Sequence, residues 1–81
     1  MKKTGQLAKR NMIGARVLKA RKACKPPVTQ DDLVGRLAAG GVSIDQTAIS
    51  RIENQSRYVM DYEAYAIARA LKISVASLFG Q

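Results

Sequence analysis

From Ile13 to Phe79 the apolar residues recur at steps of three and four, and no segment alternates at a period of two for long enough to build a strand. Steps of three and four follow one face of an α-helix, so the chain is predicted to be all-α. Its breakers then divide it. Asn11 caps a first helix that runs to about Cys24, where Pro26 and Pro27 stop it because neither has an amide hydrogen to give. Thr29 caps a second helix with Asp31 and Asp32 in the favoured first turn, and Gly40-Gly41 ends it. A third, short helix lies in "SIDQTAISRIEN", capped by Asp45 or Ser43. After the loop "NQSRYVM", Asp61 or a neighbour caps a fourth helix that reaches Leu71, and Ser74 caps a last turn or two, "VASLF". The expected architecture is one compact five-helix domain over residues 11–81, preceded by a flexible basic arm, "MKKTGQLAKR", over residues 1–10.

Two charges sit where the apolar pattern has no place for them. Arg21 falls on the stripe of Ile13, Val17, Ala20 and Cys24, and Glu53 follows Ile49 by four on the stripe of the third helix. A lone buried charge costs several kcal/mol, so each requires a partner. The simplest resolution is a structural ion pair, Arg21–Glu53, tying the first helix to the third. The opposite face of the third helix then carries Gln46, Thr47, Ser50 and Arg51, whose amide, hydroxyl and guanidinium groups can reach base edges.

Charge narrows the partner. Fourteen Lys and Arg oppose six Asp and Glu, a formal net charge of +8. Nine of the bases and none of the acids lie in the first 25 residues. A small domain of this balance is built to meet a polyanion, most commonly nucleic acid. There is no histidine and one cysteine, Cys24, so neither a metal site nor acid–base catalysis has its raw material. The expectation is a non-enzyme without a cofactor, with Cys24 a small buried hydrophobe. No run of about 18 apolar residues is present to span a membrane. No apolar leader opens the chain, and a cytoplasmic, nucleoid-associated protein is expected.

The segments "IGARVLKAR" (13–21), "TQDDLVGRL" (29–37), "AISRIEN" (48–54), "RYVMDYE" (57–63) and "AIARALKISVASLF" (66–79) occur in an order that resembles the helix-turn-helix domain of phage repressors and Cro proteins, the XRE family. The resemblance implies a lambda-repressor-like fold in which the second and third helices form the helix-turn-helix and the third enters the major groove of double-stranded DNA. It implies base reading by Gln46, Thr47, Ser50 and Arg51. It implies phosphate contacts by Gln30, which also braces the third helix, and by Asn54 and Arg57 in the following loop. The residues matching Arg21 and Glu53 form a buried ion pair in that family. Three features depart from its pattern: a longer link at "KPPV", a longer turn at "AAGGVSI", and Gln55-Ser56 where a glycine commonly follows "EN", which forces Asn54 or Gln55 into the left-handed region.

The resulting expectation is a sequence-specific transcriptional regulator, a repressor that occupies a two-fold operator as a homodimer through the region of Ile73, Leu78 and Phe79, with "VASLF" expected both to close the core and to supply part of the dimer patch. Of the tyrosines, Tyr58 is expected at a phosphate and Tyr65 in the core. The alternative is the antitoxin of a toxin–antitoxin pair, with a toxin protein as partner; it is disfavoured because little chain follows Phe79 to wrap one. A basic amphipathic membrane-surface protein is a second rival, which the distributed stripes disfavour.

Overall fold

The computed structural model describes residues 9–81, so residues 1–8 of the expected arm lie outside the described residues. Five helices, and no strand, are present among the described residues. They are α1 (Gly14–Ala23), α2 (Gln30–Ala39), α3 (Gln46–Glu53), α4 (Asp61–Ala70) and α5 (Val75–Leu78). Helix α3 packs on α1 and α2, α2 also packs on α4, and α5 closes the bundle against α4 and α1.

Local chemistry places each start. The Oδ1 of Asn11 accepts from the amides of Ile13 and Gly14, at 3.1 and 2.8 Å, satisfying donors that α1 cannot satisfy itself. At α2, the Thr29 hydroxyl accepts from the Asp32 amide and the Asp32 carboxylate accepts from the Thr29 amide, both at 3.0 Å, a reciprocal capping box. Asp45, not Ser43, caps α3 by accepting from the Ala48 amide at 2.8 Å. Asp61 is the first residue of α4 and not its cap. The Met60 amide ahead of it is taken by the Glu63 carboxylate at 2.9 Å. Ser74 caps the short α5 through the Ser77 amide.

The ends depend on backbone freedom. After α2, Gly41 takes φ of 90°, open to glycine at little cost. After α3 it is Gln55 that turns left-handed, at φ of 65°, where a side chain is strained. Its amide Nε2 donates to the Asn11 carbonyl and its own carbonyl accepts from the Arg10 amide, bonds that hold the turn in place. Lys72, after α4, adopts φ of 59°, which nothing in its sequence surroundings announces.

The inward stripes meet in one core: Ile13 and Val17 of α1, Leu33 and Leu37 of α2, Ile49 and Ile52 of α3, Ala64, Ile67 and Ala68 of α4, with Leu71 and Leu78 closing it. Val28 and Ile44, in the two connections, are buried with them. Burying each large aliphatic side chain contributes about 1.5–3 kcal/mol. The approach of α1 to the end of α3 requires Gly14, because a Cβ there would overlap the Ile52 carbonyl.

Four expectations are corrected. Tyr65 is not in the core but 54% exposed, because Ala64, Ile67, Ala68 and Leu71 take the inward face of α4 and leave it on the flank. Cys24 is half-buried, its thiol donating to the Ala20 carbonyl at 3.4 Å. Leu78 closes the core as expected but is fully buried in the protomer and has no surface to give to a dimer, while Phe79 is 37% exposed. Arg10 is not part of a free arm: its amide bonds Gln55 and its guanidinium lies over the Tyr58 ring, 5.2 Å from the centroid.

Candidate nucleic-acid interface

Helix α3 is held from beneath by a charged network. The Nε and Nη2 of Arg21 donate to the two carboxylate oxygens of Glu53, at 2.7 and 2.9 Å, with the two side chains 10% and 6% exposed. This two-pronged geometry is the strongest form of the pair. A third nitrogen, Nη1, donates to the Val28 carbonyl at 3.0 Å, and the Val28 amide returns a bond to the Arg21 carbonyl. One guanidinium therefore ties α1, the α1–α2 connection and α3 together. The Glu53 hydrogen bonds stabilise the charged guanidinium and raise its pKa further; burial opposes them.

The network continues outward. Gln30, the first residue of α2, donates to Glu53 Oε1 at 3.0 Å, and its own Oε1 accepts from Gln46 Nε2 at 3.3 Å. A chain of bonds thus runs from the buried Arg21 to the exposed Gln46. The exposed face of α3 carries Gln46, Thr47, Ser50 and Arg51 together, all open to solvent. Arg51 has no ion-pair partner among the described residues, so its planar five-donor group is available to an outside acceptor.

The loop after α3 is arranged differently from the sequence reading. Asn54 is exposed, but its Oδ1 accepts from both the Ser56 amide and the Ser56 hydroxyl, at 3.1 and 2.6 Å. Arg57 does not point freely outward: it grips Glu63 with two nitrogens, at 3.0 and 3.2 Å, and Nη1 also reaches the Tyr58 carbonyl. Arg57 holds the Glu63 carboxyl below its ordinary range, burial opposes this, and the Met60 amide adds to the lowering. A phosphate contact by Arg57 has to use its remaining hydrogens. Tyr58 is 66% exposed, and its hydroxyl accepts from Arg10 Nη1 at 2.9 Å. Asn11 closes the loop, donating to the carbonyls of Ile52 and Arg57.

Sequence reasoning missed two features of this surface. Glu63 lies four residues before Ile67, on the apolar stripe of α4, so the logic that coupled Arg21 to Glu53 applies to it equally. Arg10 on Tyr58 had no signal, since only the path of the chain brings residues 48 apart together.

No three His, Cys, Asp or Glu side chains are grouped to hold a metal ion among the described residues. No helix there is long and apolar enough to cross a membrane. No family model, no curated protein and no solved structure matches this chain.

Proposed function

We propose that the protein is a sequence-specific double-stranded DNA-binding regulator of transcription, not an enzyme, with α2 and α3 as its helix-turn-helix. On this reading it is a cytoplasmic, nucleoid-associated repressor of the XRE type that occupies a two-fold operator as a homodimer. One observation carries the reading: four exposed side chains able to read base edges share one face of α3, and that helix is fixed underneath by Arg21, Glu53 and Gln30. A reading helix needs both properties, because base contacts discriminate only when their donors and acceptors are held in register. Arg51 presents a fork to guanine, while Gln46 and Thr47 meet neighbouring bases. Arg10 and Tyr58 sit beside the end of α3 as phosphate contacts, which orient the protein without carrying sequence information. Of the C-terminal residues first assigned to the dimer, Phe79 is accessible and Leu78 is not.

Selection of bound sequences from a random duplex pool tests the reading. A two-fold consensus with half-sites about one DNA turn apart is expected. The Arg51→Ala variant should lose about 1–3 kcal/mol of discrimination at one base pair per half-site while keeping its affinity for unrelated DNA. No enrichment with the parent protein, or equal weakening of selected and scrambled duplexes by Arg51→Ala, refutes it.

A further inference from the structure

The positive charge of this protein is not concentrated where α3 is. Residues 29–54, which carry α2 and α3, hold two bases, Arg36 and Arg51, against four acids, Asp31, Asp32, Asp45 and Glu53, a net charge of −2. Residues 12–25, which carry α1, hold five bases and no acid. Arg21 is spent on Glu53, but Arg16, Lys19, Lys22 and Lys25 are exposed, as is Lys72 in the turn before α5. None of these five has an ion-pair partner among the described residues.

Their placement is directional. Helix α1 meets α3 through Gly14 and Arg21. At roughly 100° per residue, Arg16 and Lys19 lie about 150° around the helix from those two. There they line a groove of about 310 Å3 with Ala20, Ala23, Ile73 and Ser77, between α1 and α5. The Arg16 guanidinium is set against the C-terminal turn, where a Cβ on Gly80 would come 2.5 Å from its Nη2. DNA seated on α3 leaves this flank open, and the dimer contact of the proposed reading then falls to Phe79, which does not line the groove, and not to Ile73, which does.

We infer that the α1–α5 flank is a second polyanion site, which takes the phosphate backbone of a second DNA duplex, so that a protomer holding one duplex on α3 bridges it to another. The inference rests on the α3 reading for the first duplex. The form of the charge selects the ligand. Arg16, Lys19 and Lys22 rise along α1 by about 4.5 Å per step, with Lys25 just beyond, a ridge of separate charges rather than a pocket around one anion. Duplex DNA presents a matching line, one charge per roughly 1.7 Å of its axis. The groove is lined by no aromatic side chain, whereas single-stranded nucleic acid is held mainly by stacking on aromatics. Phosphate contacts alone are the chemistry of a duplex gripped from outside.

The experiment captures a labelled duplex of mixed sequence on beads bearing a second such duplex, beside a titration against one duplex in solution. The parent protein, an Arg16→Glu/Lys19→Glu variant, the milder Arg16→Gln/Lys19→Gln variant and Arg51→Ala are compared, with melting curves to establish folding. The expected result is that the parent bridges, and that the Glu variant binds one duplex nearly as the parent does while capture falls about tenfold or more; the Gln variant falls less, and the salt dependence of capture is shallower by about two units for two lost phosphate contacts. Capture by the Glu variant equal to the parent's overturns the inference and leaves the α3 reading untouched. Loss of single-duplex binding in the Glu variant, with Arg51→Ala unaffected, makes α1 the primary DNA face and overturns both. A parent that captures no second duplex, but whose α1 flank binds poly-L-glutamate in a manner lost with the Glu variant, overturns it in favour of an acidic protein.

Discussion

Among the described residues there are two arginine–glutamate pairs, one joining α1 to the last residue of α3 and the other joining the loop after α3 to α4, and they differ in what surrounds them. Arg21–Glu53 is closed off on both sides, every carboxylate oxygen is taken, and the pair is extended by Gln30 toward Gln46. Arg57–Glu63 has one buried and one half-open partner, with Glu63 7% and Arg57 32% exposed at the side chain. Water reaches the second arginine about three times as freely as the first, with side chains 32% and 10% exposed. The difference teaches that similar chemistry carries two kinds of consequence: the enclosed pair fixes the angle of α3, and the open one fixes the loop that leaves it. Breaking a pair costs most where the stranded partner cannot find water.

The largest effect belongs to the enclosed pair. Arg21→Ala leaves the Glu53 carboxylate with Gln30 alone and frees the Val28 carbonyl, and is expected to cost about 3–5 kcal/mol in denaturant unfolding. For a chain of only 81 residues that is a large fraction of the whole stability. Arg57→Ala comes next, at about 1–3 kcal/mol, because Glu63 keeps the Met60 amide and gains water through the space that Arg57 leaves. If the two variants unfold at the same denaturant concentration, burial is not what separates the pairs.

How far these pairs were legible follows from the same contrast. Arg21 and Glu53 announced themselves because each broke an apolar stripe that was otherwise regular, and the spacing of Ile13, Val17, Ile49 and Ile52 set the helices themselves. The caps at Thr29, Asp45 and Ser74 were readable because a short polar side chain before an apolar run has one common use. Glu63 also breaks a stripe, but it opens a helix whose first turn commonly carries acids for the dipole, so its position had a ready local explanation. Arg57 read as a free loop cation because a loop has no periodicity to violate. Tyr65 was misplaced, and Leu78 given a dimer role it cannot fill, for a related reason: in short helices one step along the chain rotates a residue from core to surface, and composition cannot tell which step was taken.

Acid sharpens the comparison with a smaller effect, because protonating Glu63 weakens its bonds to Arg57 without removing the arginine. The folded-state pKa of Glu63 lies below its ordinary 4.5, chiefly through the Arg57 hydrogen bonds. The stabilisation is therefore complete above pH 4.5 and is lost as the pH falls through the lower folded value. Glu63→Gln should start less stable at pH 7 and lose less on acidification to pH 3, followed by melting temperature. Part of the acid dependence should survive in the variant, since Asp32 is also held low, first by the Thr29 amide and then by its hydroxyl. Parallel curves for parent and variant would show that the open pair does not respond to pH.

The smallest effect tests whether the enclosed pair matters beyond stability. Gln30→Ala removes one of the bonds to Glu53 Oε1, but Arg21 Nη2 still holds that oxygen at 2.9 Å, so the expected loss is only about 0.5–1.5 kcal/mol. The same change frees Gln46, whose Nε2 is otherwise directed at Gln30 Oε1. On the proposed reading a free Gln46 samples several rotamers, and its contribution to discrimination should fall further than stability does, read as the affinity ratio between selected duplex and a duplex altered at the base pair that Gln46 meets. Gln30→Glu separates the two roles. A second carboxylate facing Glu53 Oε1 repels it, so this variant should be less stable than Gln30→Ala, while its oxygen can still accept from Gln46 and retain part of the discrimination. If Gln30→Ala lowers stability but leaves the ratio unchanged, the network ends at Glu53, and the enclosed pair is, like the open one, a structural fastening and nothing more.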